Sequence, residues 1–238
     1  MTTALIFAGG TGRRMNTSAK PKQFLELHGK PVIIYTLDHF ESHPEIDNIV
    51  VVCVENWIRR FTHMLRQYVF EKVSQIIPGG DGGDKSIYNG LCALEGRAKP
   101  DDIVLIHDGV RPLISGELIS EVIAKTKSHG NAITVEAATE SVVRLNGEDK
   151  IIEVPPRDKM YVAKAPQSFM YGQILDLYRQ ARKDNVRFLD SAHLCSIYGV
   201  SMNTVKSTPN NMKITSPTDY YIFRALFEAM ENQQILGI

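Results

Sequence analysis

Short apolar runs alternate with amphipathic segments along the first half of the chain. The runs are rich in β-branched residues and bounded by polar residues or glycine, which is typical of strands buried on both faces. The strands are predicted at residues 3–8, 48–54, 102–107 and 132–137. The helices are predicted at residues 32–40, 57–69, 85–94 and 117–127. This alternation predicts βαβ units around a mostly parallel sheet with helices on both faces.

The pattern changes between about residues 138 and 164, where short strand-like segments follow one another directly. These segments occupy residues 141–145, 151–154 and 160–164. Asn146-Gly147, between the first two segments, is a strong hairpin signal. We therefore predict an antiparallel β-arm that projects from the sheet over residues 138–164.

Further helices and a strand are predicted after the arm. The helices lie at 172–183 and 190–198, and the strand lies at 201–206. A C-terminal helix follows, with Ser216 or Thr218 as its cap and Pro217 in its first turn. The chain shows no internal repeat, low-complexity tract or linker, so we predict one α/β domain over residues 1–238 that carries the β-arm.

Composition limits the classes of function. The chain has 27 Lys and Arg against 27 Asp and Glu, so its formal net charge is zero. This balance argues against a nucleic-acid binder, which usually carries an excess of basic residues, but it allows a small anion held by local cations. We expect no membrane span, because no run reaches the ~18–20 apolar residues that a span requires. We expect no signal peptide, because the apolar start lacks a basic n-region and runs directly into Gly9-Gly10. The spacing of Cys53, Cys92 and Cys195 suggests neither a disulfide framework nor a metal site, so we predict a cytoplasmic protein.

A glycine-rich loop follows the first predicted strand directly. Gly9, Gly10 and Gly12 let backbone N–H groups approach a bound oxygen closely. Arg14 adds a planar cation that matches phosphate geometry, and Lys22 offers a second cation further on. The loop lacks the Lys-Ser/Thr of a P-loop and the third glycine of a dinucleotide-binding fingerprint. We predict an anion site, with an exposed turn that carries solvated cations as the alternative.

A carboxylate stands where a second loop begins. Asp108 and Arg111 follow an apolar strand, at the end where open α/β sheets place ligands. Magnesium takes one or two protein carboxylates together with phosphate oxygens, so Asp108 is a candidate ligand of a nucleotide-bound metal. A surface Asp–Arg pair is the alternative.

The glycine-rich segment 79–86 suits the edge of a pyrimidine, with a flexible surface loop as its alternative.

These motifs stand in the order found in a known enzyme family. They are Ala8-Gly9-Gly10-Thr11-Gly12-x-Arg14-Met15, Pro21-Lys22-Gln23-Phe24, Gly79-Gly80-Asp81 with Ser86, His107-Asp108-x-Val110-Arg111-Pro112, Pro166-Gln167-x-Phe169 and Asn211-x-Lys213-Ile214-Thr215. From residue 4 to about residue 224 the chain resembles the sugar-phosphate cytidylyltransferases. The resemblance is to the branch that contains the 2-C-methyl-erythritol 4-phosphate and ribitol 5-phosphate cytidylyltransferases.

The resemblance implies a Rossmann-like nucleotidyltransferase that transfers CMP from CTP to a polyol phosphate and releases pyrophosphate. It implies a magnesium ion on Asp108 and three catalytic cations, which are Arg14, Lys22 and Lys213. Lys213 is expected to open a short strand over residues 213–215. The candidate nucleotide-binding residues are Ala8, Gly9, Gly10, Thr11, Gly12, Gly80, Asp81 and Ser86. The candidate acceptor-binding residues are Arg111, Ser141, Arg157 and Asp190.

Departures from the family pattern concern the acceptor. Glu140-Ser141 replaces the usual Asp-Thr, Lys164 is an added cation, and Ala165 lacks a hydroxyl. The motif around Val110 resembles the ribitol branch more closely than the isoprenoid branch. We predict D-ribitol 5-phosphate as acceptor, giving CDP-ribitol for teichoic acid or capsule polymers. The alternative is 2-C-methyl-D-erythritol 4-phosphate, in non-mevalonate isoprenoid biosynthesis.

The resemblance also implies partners. It implies a homodimer whose subunits exchange β-arms, so that Arg157 acts in the neighbouring active site, and a separate reductase that supplies the acceptor.

Two other classes of function remain as alternatives. An oxidoreductase would bind NAD(P)H, and a catalytically inactive nucleotide-binding protein would bind CTP without releasing pyrophosphate.

Overall fold

Seven strands form one central sheet in the computed structural model, which describes residues 1–10 and 20–236. The strands of the chain are β1 (Thr2–Ala8), β2 (Glu26–Leu27), β3 (Lys30–Pro31), β4 (Asn48–Cys53), β5 (Val73–Pro78), β6 (Ile103–Asp108), β7 (Asn131–Ala137), β8 (Arg144–Leu145), β9 (Ile151–Glu153), β10 (Tyr161–Met170) and β11 (Thr204–Lys206). The order across the central sheet is β11-β7-β10-β6-β1-β4-β5. β10 runs antiparallel to both of its neighbours, and the other neighbouring strands are parallel.

Helices cover both faces of this sheet and enclose two apolar cores. They are α1 (Val32–Glu41), α2 (Ile58–Leu65), α3 (Gly83–Cys92), α4 (Gly116–His129), α5 (Tyr171–Lys183), α6 (Ser191–Ile197) and α7 (Pro217–Leu236). The first core packs α1, α2 and α4 against one face, and the second packs α3, α5 and α6 against the other. A Cβ at Gly90 would lie 2.4 Å from Leu5 Cδ1, so this glycine lets α3 rest directly on β1.

The arrangement positions a site at one edge of the sheet. The parallel strands β1, β4, β5 and β6 all end there, because parallel strands carry their carboxyl ends on the same side. The segment before α7 crosses to this edge, where the Ile214 N–H donates to Val110 O at 2.9 Å. Phe223 of α7 packs in a third apolar cluster with Val110 and Ile214, which fixes that segment.

The α/β class and the mostly parallel sheet are confirmed, and most predicted elements are found close to their expected bounds. β5 was not predicted, because most of its side chains are half-exposed at the sheet edge. α2 ends at Leu65, several residues before the predicted end of that helix. The expected strand at 213–215 is wrong, because this segment pairs with no strand of the described residues, although the Ile214 N–H bonds to Val110 O. α7 begins at Pro217, and Ser216 Oγ accepts from the Asp219 N–H at 3.4 Å as the predicted cap.

The β-arm is shorter than the predicted 138–164. Residues 161–163 pair with β7 inside the central sheet, as the first part of β10. The projecting part therefore ends near residue 160, and it contains the β8–β9 hairpin. The apolar side chains of this hairpin are exposed, with Ile151 59% and Ile152 54% accessible.

Two expectations about the chain can be compared with the described residues. None of the helices within residues 1–10 and 20–236 is both long and apolar enough to span a bilayer. Cys53, Cys92 and Cys195 are free thiols, as their spacing predicted.

Candidate active site

Two adjoining cavities lie at the edge where β1, β5 and β6 end. The larger cavity has a volume of about 590 Å³, and the smaller cavity has a volume of about 300 Å³. Four residues line both and form their boundary: Phe7, Gly83, Asp108 and Lys213. The predicted residues that line the larger cavity are Ala8, Gly9, Gly10, Lys22, Gly80, Asp81, Ser86, Asp108 and Lys213. Arg111 and Asp190 line the smaller cavity.

Ser86 joins the two glycine loops of the larger cavity. Its hydroxyl accepts from the Gly80 N–H at 3.1 Å and donates to Gly82 O at 2.7 Å. A Cβ at Gly9 or at Gly79 would lie 2.9 Å from Ser86 Oγ, which is closer than real Cβ contacts. The three residues therefore fit together only because two of them lack side chains.

Glycine is also required inside the second loop. Gly82 has φ +149°, and a Cβ at Gly80 would lie 2.4 Å from Lys85 Cβ. This loop leads into α3, whose first residue, Gly83, faces both cavities. The free N–H groups at the start of a helix attract anions, so the start of α3 favours a phosphate bound in these cavities.

Lys22 and Gln23 follow the first loop on a single 3₁₀ turn, Lys22–Phe24. Lys22 Nζ donates to Ile214 O at 2.8 Å, which brings it beside the segment that carries Lys213. Gln23 is buried, and its amide donates to Ala8 O at 2.5 Å and to Gly10 O at 3.3 Å. The side chain of Gln23 therefore fixes the backbone of the glycine loop. The predicted Thr11, Gly12 and Arg14 lie outside the described residues.

Asp108 is the electrostatic centre of the site. Lys213 Nζ lies 2.5 Å from its Oδ1, and Arg111 Nε donates to its Oδ2 at 2.8 Å. Burial by itself would raise the pKa of the Asp108 carboxyl, but the charges and hydrogen bonds of Lys213 and Arg111 outweigh it and lower the pKa to about 2. The carboxylate is therefore ionised at neutral pH, although only 3% of the residue is exposed.

Arg111 is held as firmly as the carboxylate. It is 7% exposed, and besides Asp108 it donates from Nη1 to Asn211 O at 2.9 Å. Asn211 is itself buried, and its amide donates to Ala165 O at 2.7 Å. One chain of hydrogen bonds thus connects Arg111 and Ala165, which line the smaller cavity, with Asn211 in the segment before Lys213.

The side chains around Asp108 suit a magnesium ion of one particular kind. The described residues include no group of three or more His, Cys, Asp or Glu side chains able to bind a metal alone. One ionised, buried carboxylate beside a wall of backbone N–H groups instead fits a metal that brings phosphate oxygens as most of its ligands. His107 adds no ligand, because its fully buried ring lines neither cavity and packs on Phe40 of the first core.

The smaller cavity is built from side chains. Gln167 donates to Asp190 Oδ2 at 3.1 Å and accepts from the Ala192 N–H at 2.9 Å. Asp190 also caps α6, because its Oδ1 accepts from the His193 N–H at 2.8 Å. Lys164, on the same wall, forms an ion pair with Glu136 of β7.

Ser141 and Arg157 line neither cavity of this chain. Both are exposed in the β-arm, where Arg157 Nη1 contacts Thr139 O at 3.5 Å. The structure therefore separates these two predicted acceptor residues from Arg111 and Asp190.

Several cavity residues were not predicted as site residues. Gln23 and Gln167 stand within recognised motifs but were given no role, although a polar side chain beside an apolar strand is a usable signal. Phe7, Gly83 and Leu189 carry no charge, and the sequence pattern treats the first simply as a strand residue.

Comparison with known proteins gives one family over nearly the whole chain. Residues 2–229 match the family described as IspD, 2-C-methyl-D-erythritol 4-phosphate cytidylyltransferase. A ribitol-5-phosphate cytidylyltransferase of Vibrio parahaemolyticus is 49% identical over 238 residues, which cover 100% of both chains. A 2-C-methyl-D-erythritol 4-phosphate cytidylyltransferase of Clostridium botulinum is 34% identical over 228 residues, which cover 96% of this chain and 98% of that one. The crystal structure of 4-diphosphocytidyl-2C-methyl-D-erythritol synthase from Anaerococcus prevotii matches with a TM-score of 0.84 at 26% identity, over 95% of this chain and 96% of that one.

Proposed function

Because this chain belongs to the 2-C-methyl-D-erythritol 4-phosphate cytidylyltransferase family, we propose that it transfers CMP from CTP to a polyol phosphate. The observation that carries this proposal is the position of Asp108, held between Arg111 and Lys213 on the boundary of two cavities. A larger cavity walled by glycine backbone suits a nucleoside triphosphate, and a smaller polar cavity suits a short polyol phosphate. The reacting phosphorus would then lie between them.

The reaction is an in-line displacement at phosphorus. A phosphate oxygen of the acceptor forms a bond to the α-phosphorus of CTP, and the bond from that phosphorus to the bridging oxygen of pyrophosphate breaks. The chain contributes position and charge and forms no covalent intermediate. Lys22 and Lys213 meet at the phosphate side of the larger cavity, where they would stabilise the charge that develops on the α-phosphate oxygens. Arg14 is proposed to add a third cation.

Asp108 would hold a magnesium ion that the nucleotide brings with it. When bound, this ion neutralises phosphate charge and supports the departure of pyrophosphate. Lys213 and Arg111 both contact the Asp108 carboxylate, so Lys213 would lie close to phosphates that bind at this metal. Transfer of Lys213 from the carboxylate to a phosphate oxygen would free Oδ1 for the metal.

Cytosine would be recognised by the loop from Gly80 to Ser86. The Gly80 carbonyl and neighbouring N–H groups offer fixed donors and acceptors, and Ser86 sets their position. Asp81 is almost completely exposed, 3.8 Å from Lys85, so its side chain is available at the mouth of the larger cavity.

D-ribitol 5-phosphate is the acceptor that the relatives favour. The relative named for ribitol 5-phosphate is 49% identical, whereas the relative named for 2-C-methyl-D-erythritol 4-phosphate is 34% identical. The Asp190 carboxylate and Lys164 give the smaller cavity acceptors and donors that suit several adjacent hydroxyls. Methylerythritol phosphate is the second candidate, because the family description names it.

A homodimer formed through the β-arm completes the proposal. The exposed apolar side chains of the arm are Val142, Val143, Leu145, Ile151, Ile152 and Val154. Exposed apolar side chains concentrated in one segment are typical of an interface. Exchange of arms would bring Arg157 and Ser141 to the smaller cavity of the neighbouring subunit. A reductase that supplies the acceptor, the cytoplasmic location and the absence of nucleic-acid binding stay predictions.

The test is pyrophosphate release from CTP and Mg²⁺ with each acceptor in parallel. We expect turnover with ribitol 5-phosphate well above that with methylerythritol phosphate, and with CTP well above that with UTP. Lys22→Ala should fold and lose most of this activity, by roughly 10²–10³-fold. Absence of pyrophosphate release with every polyol phosphate, despite CTP binding, would favour an inactive nucleotide-binding protein instead.

A further inference from the structure

Phe7 is the apolar member of the four residues on the boundary between the cavities. Every other residue of β1 is buried, whereas Phe7 is half-buried. Leu5, two residues earlier on the same face, lies beneath Gly90 of α3. Phe7 packs against the second core below the start of α3, and its exposed part lines both cavities.

Phe7 and Asp108 stand side by side. They are register partners on β1 and β6, and neighbouring residues of parallel strands project from the same face of a sheet. Lys213 reaches the same place from the segment before α7. Its Nζ lies 2.5 Å from Asp108 Oδ1 and 5.6 Å from the centre of the Phe7 ring.

The two contacts of Lys213 respond differently to ligands. Asp108 is the candidate metal ligand, so its charge is shared once metal and nucleotide bind. The face of an aromatic ring attracts a cation through its quadrupole, which ligand binding does not change. The ring can therefore hold the ammonium group after the carboxylate has released it.

We propose that Phe7 is a positioning residue, whose ring keeps the ammonium group of Lys213 on the boundary of the two cavities during CMP transfer. This role rests on the proposed function, because the boundary matters only if the α-phosphorus reacts there. Phe7 takes no part in bond making or breaking. It acts through Lys213, and neither the sequence motifs nor the comparisons assign it a role.

The first experiment is a double-mutant cycle. It compares the wild type, Phe7→Leu, Lys213→Met and the variant that carries both substitutions. Leu keeps an apolar side chain and removes the ring. We expect kcat to fall roughly fivefold while the Kd for CTP changes less than about twofold, as a contact of cation–π strength predicts. In the Lys213→Met background the same substitution should have almost no further effect on kcat, because its target is gone.

Fluorinated phenylalanines at position 7 provide a second measurement that preserves ring shape and folding. Each added fluorine weakens the negative face of the ring, so kcat should fall stepwise from phenylalanine through monofluoro- to trifluoro-phenylalanine. The wild-type and substituted proteins should have the same thermal unfolding midpoint. A flat series would overturn the proposal even if Phe7→Leu failed to fold.

Phe169→Leu is the matched control. Phe169 is fully buried in the second core and lines neither cavity. The Phe169→Leu substitution should lower the unfolding midpoint but leave kcat within about twofold of wild type, because it removes core packing without changing the surroundings of Lys213. Equal effects of Phe7→Leu with and without Lys213 would show a purely structural role and overturn the proposal. Failure of the wild-type protein to release pyrophosphate would instead reject the proposed function.

Discussion

The two cavities on either side of Asp108 are built from different parts of the chain. Five glycines line the larger cavity, and a side chain at Gly9 or Gly80 would collide with protein atoms. The smaller cavity is walled by side chains, among them Gln167 and Asp190, which come from separate elements of the fold. Backbone geometry cannot be changed one residue at a time, whereas side chains can.

This contrast accounts for the pattern of the comparisons. Relatives named for two different acceptors share the cytidylyl reaction, and both cover nearly all of this chain. A steric wall tolerates little change, so we expect the lining of the larger cavity to differ less between such relatives. The smaller cavity can exchange a hydroxyl or a charge, as at Lys164 and Ala165, without disturbing the glycine loops of the larger cavity. Selectivity for the acceptor is therefore the more adjustable property.

The largest effect is expected where the two cavities meet. Asp108→Asn removes the charge that balances Lys213 and Arg111, and it also removes the proposed metal ligand. The functions proposed for the larger and the smaller cavity should therefore be lost together. We expect kcat to fall by about 10³-fold in the pyrophosphate-release assay. Asp176→Asn, at an exposed position of α5, is the matched control and should leave activity unchanged. A loss confined to the KM of one substrate would mean that Asp108 does not serve both cavities.

The next effect should be confined to the larger cavity. Gly9→Ala places a Cβ 2.9 Å from Ser86 Oγ, so either the hydroxyl must leave its bonds to Gly80 and Gly82 or the loops must separate. The Kd for CTP should then rise roughly 10- to 100-fold by calorimetry. Adding Ser86→Ala removes the colliding oxygen and should restore part of the affinity. Gly116→Ala is the control, because its Cβ meets His43 at an ordinary 3.8 Å. An unchanged Kd for CTP in Gly9→Ala would contradict the steric account of this cavity.

A smaller effect should be confined to the other side. Asp190→Asn keeps the cap on α6, since Asn is also a favoured N-cap residue, but removes the charge offered to acceptor hydroxyls. The KM for ribitol 5-phosphate should rise about tenfold while the Kd for CTP stays constant. Steady-state kinetics at saturating CTP measure the first, and calorimetry measures the second. Weaker CTP binding in this variant would break the separation of the cavities.

The smallest effect concerns pH. Because Lys213 and Arg111 lower the pKa of Asp108 to about 2, against an ordinary value of about 3.9, its contribution to stability is complete above about pH 4 and is lost as the pH falls through about 2. The difference in unfolding free energy between wild type and Asp108→Asn should be constant from pH 5 to pH 8 and shrink by about 1 kcal/mol per pH unit below pH 4. Urea unfolding at stepped pH checks this. A change between pH 6 and pH 8 would show that the carboxylate is not held by both cations.

Much of the fold was predictable because its central strands are apolar at almost every position. β1, β4 and β6 are bounded by polar residues or glycine, so their existence and limits follow from local pattern. β5 escaped prediction since an edge strand has only one neighbour and needs fewer apolar residues. The ends of the β-arm could not be predicted either, because pairing of Tyr161 with Ala137 depends on where a distant strand lies.

Prediction of the site was limited in a similar way. Lys22, Asp108 and Lys213 were predicted from motifs, and the fold brings them to one cleft. The ion pair between Asp108 and Lys213 joins residues 105 positions apart in the chain, and no local pattern contains its distance. Gln23 and Phe7 were missed because their roles depend on contacts that only the folded backbone creates.

The hydroxyl of Ser86 has a consequence for how such a chain can change over generations. Because it occupies the space that a Cβ at either Gly9 or Gly79 would need, the three positions are linked by epistasis. A lineage that acquires a side chain at one glycine before it loses the hydroxyl passes through an impaired intermediate. A lineage that loses the hydroxyl first avoids the collision but gives up the bonds of Ser86 to Gly80 and Gly82, whereas the residues around the smaller cavity can diverge one at a time.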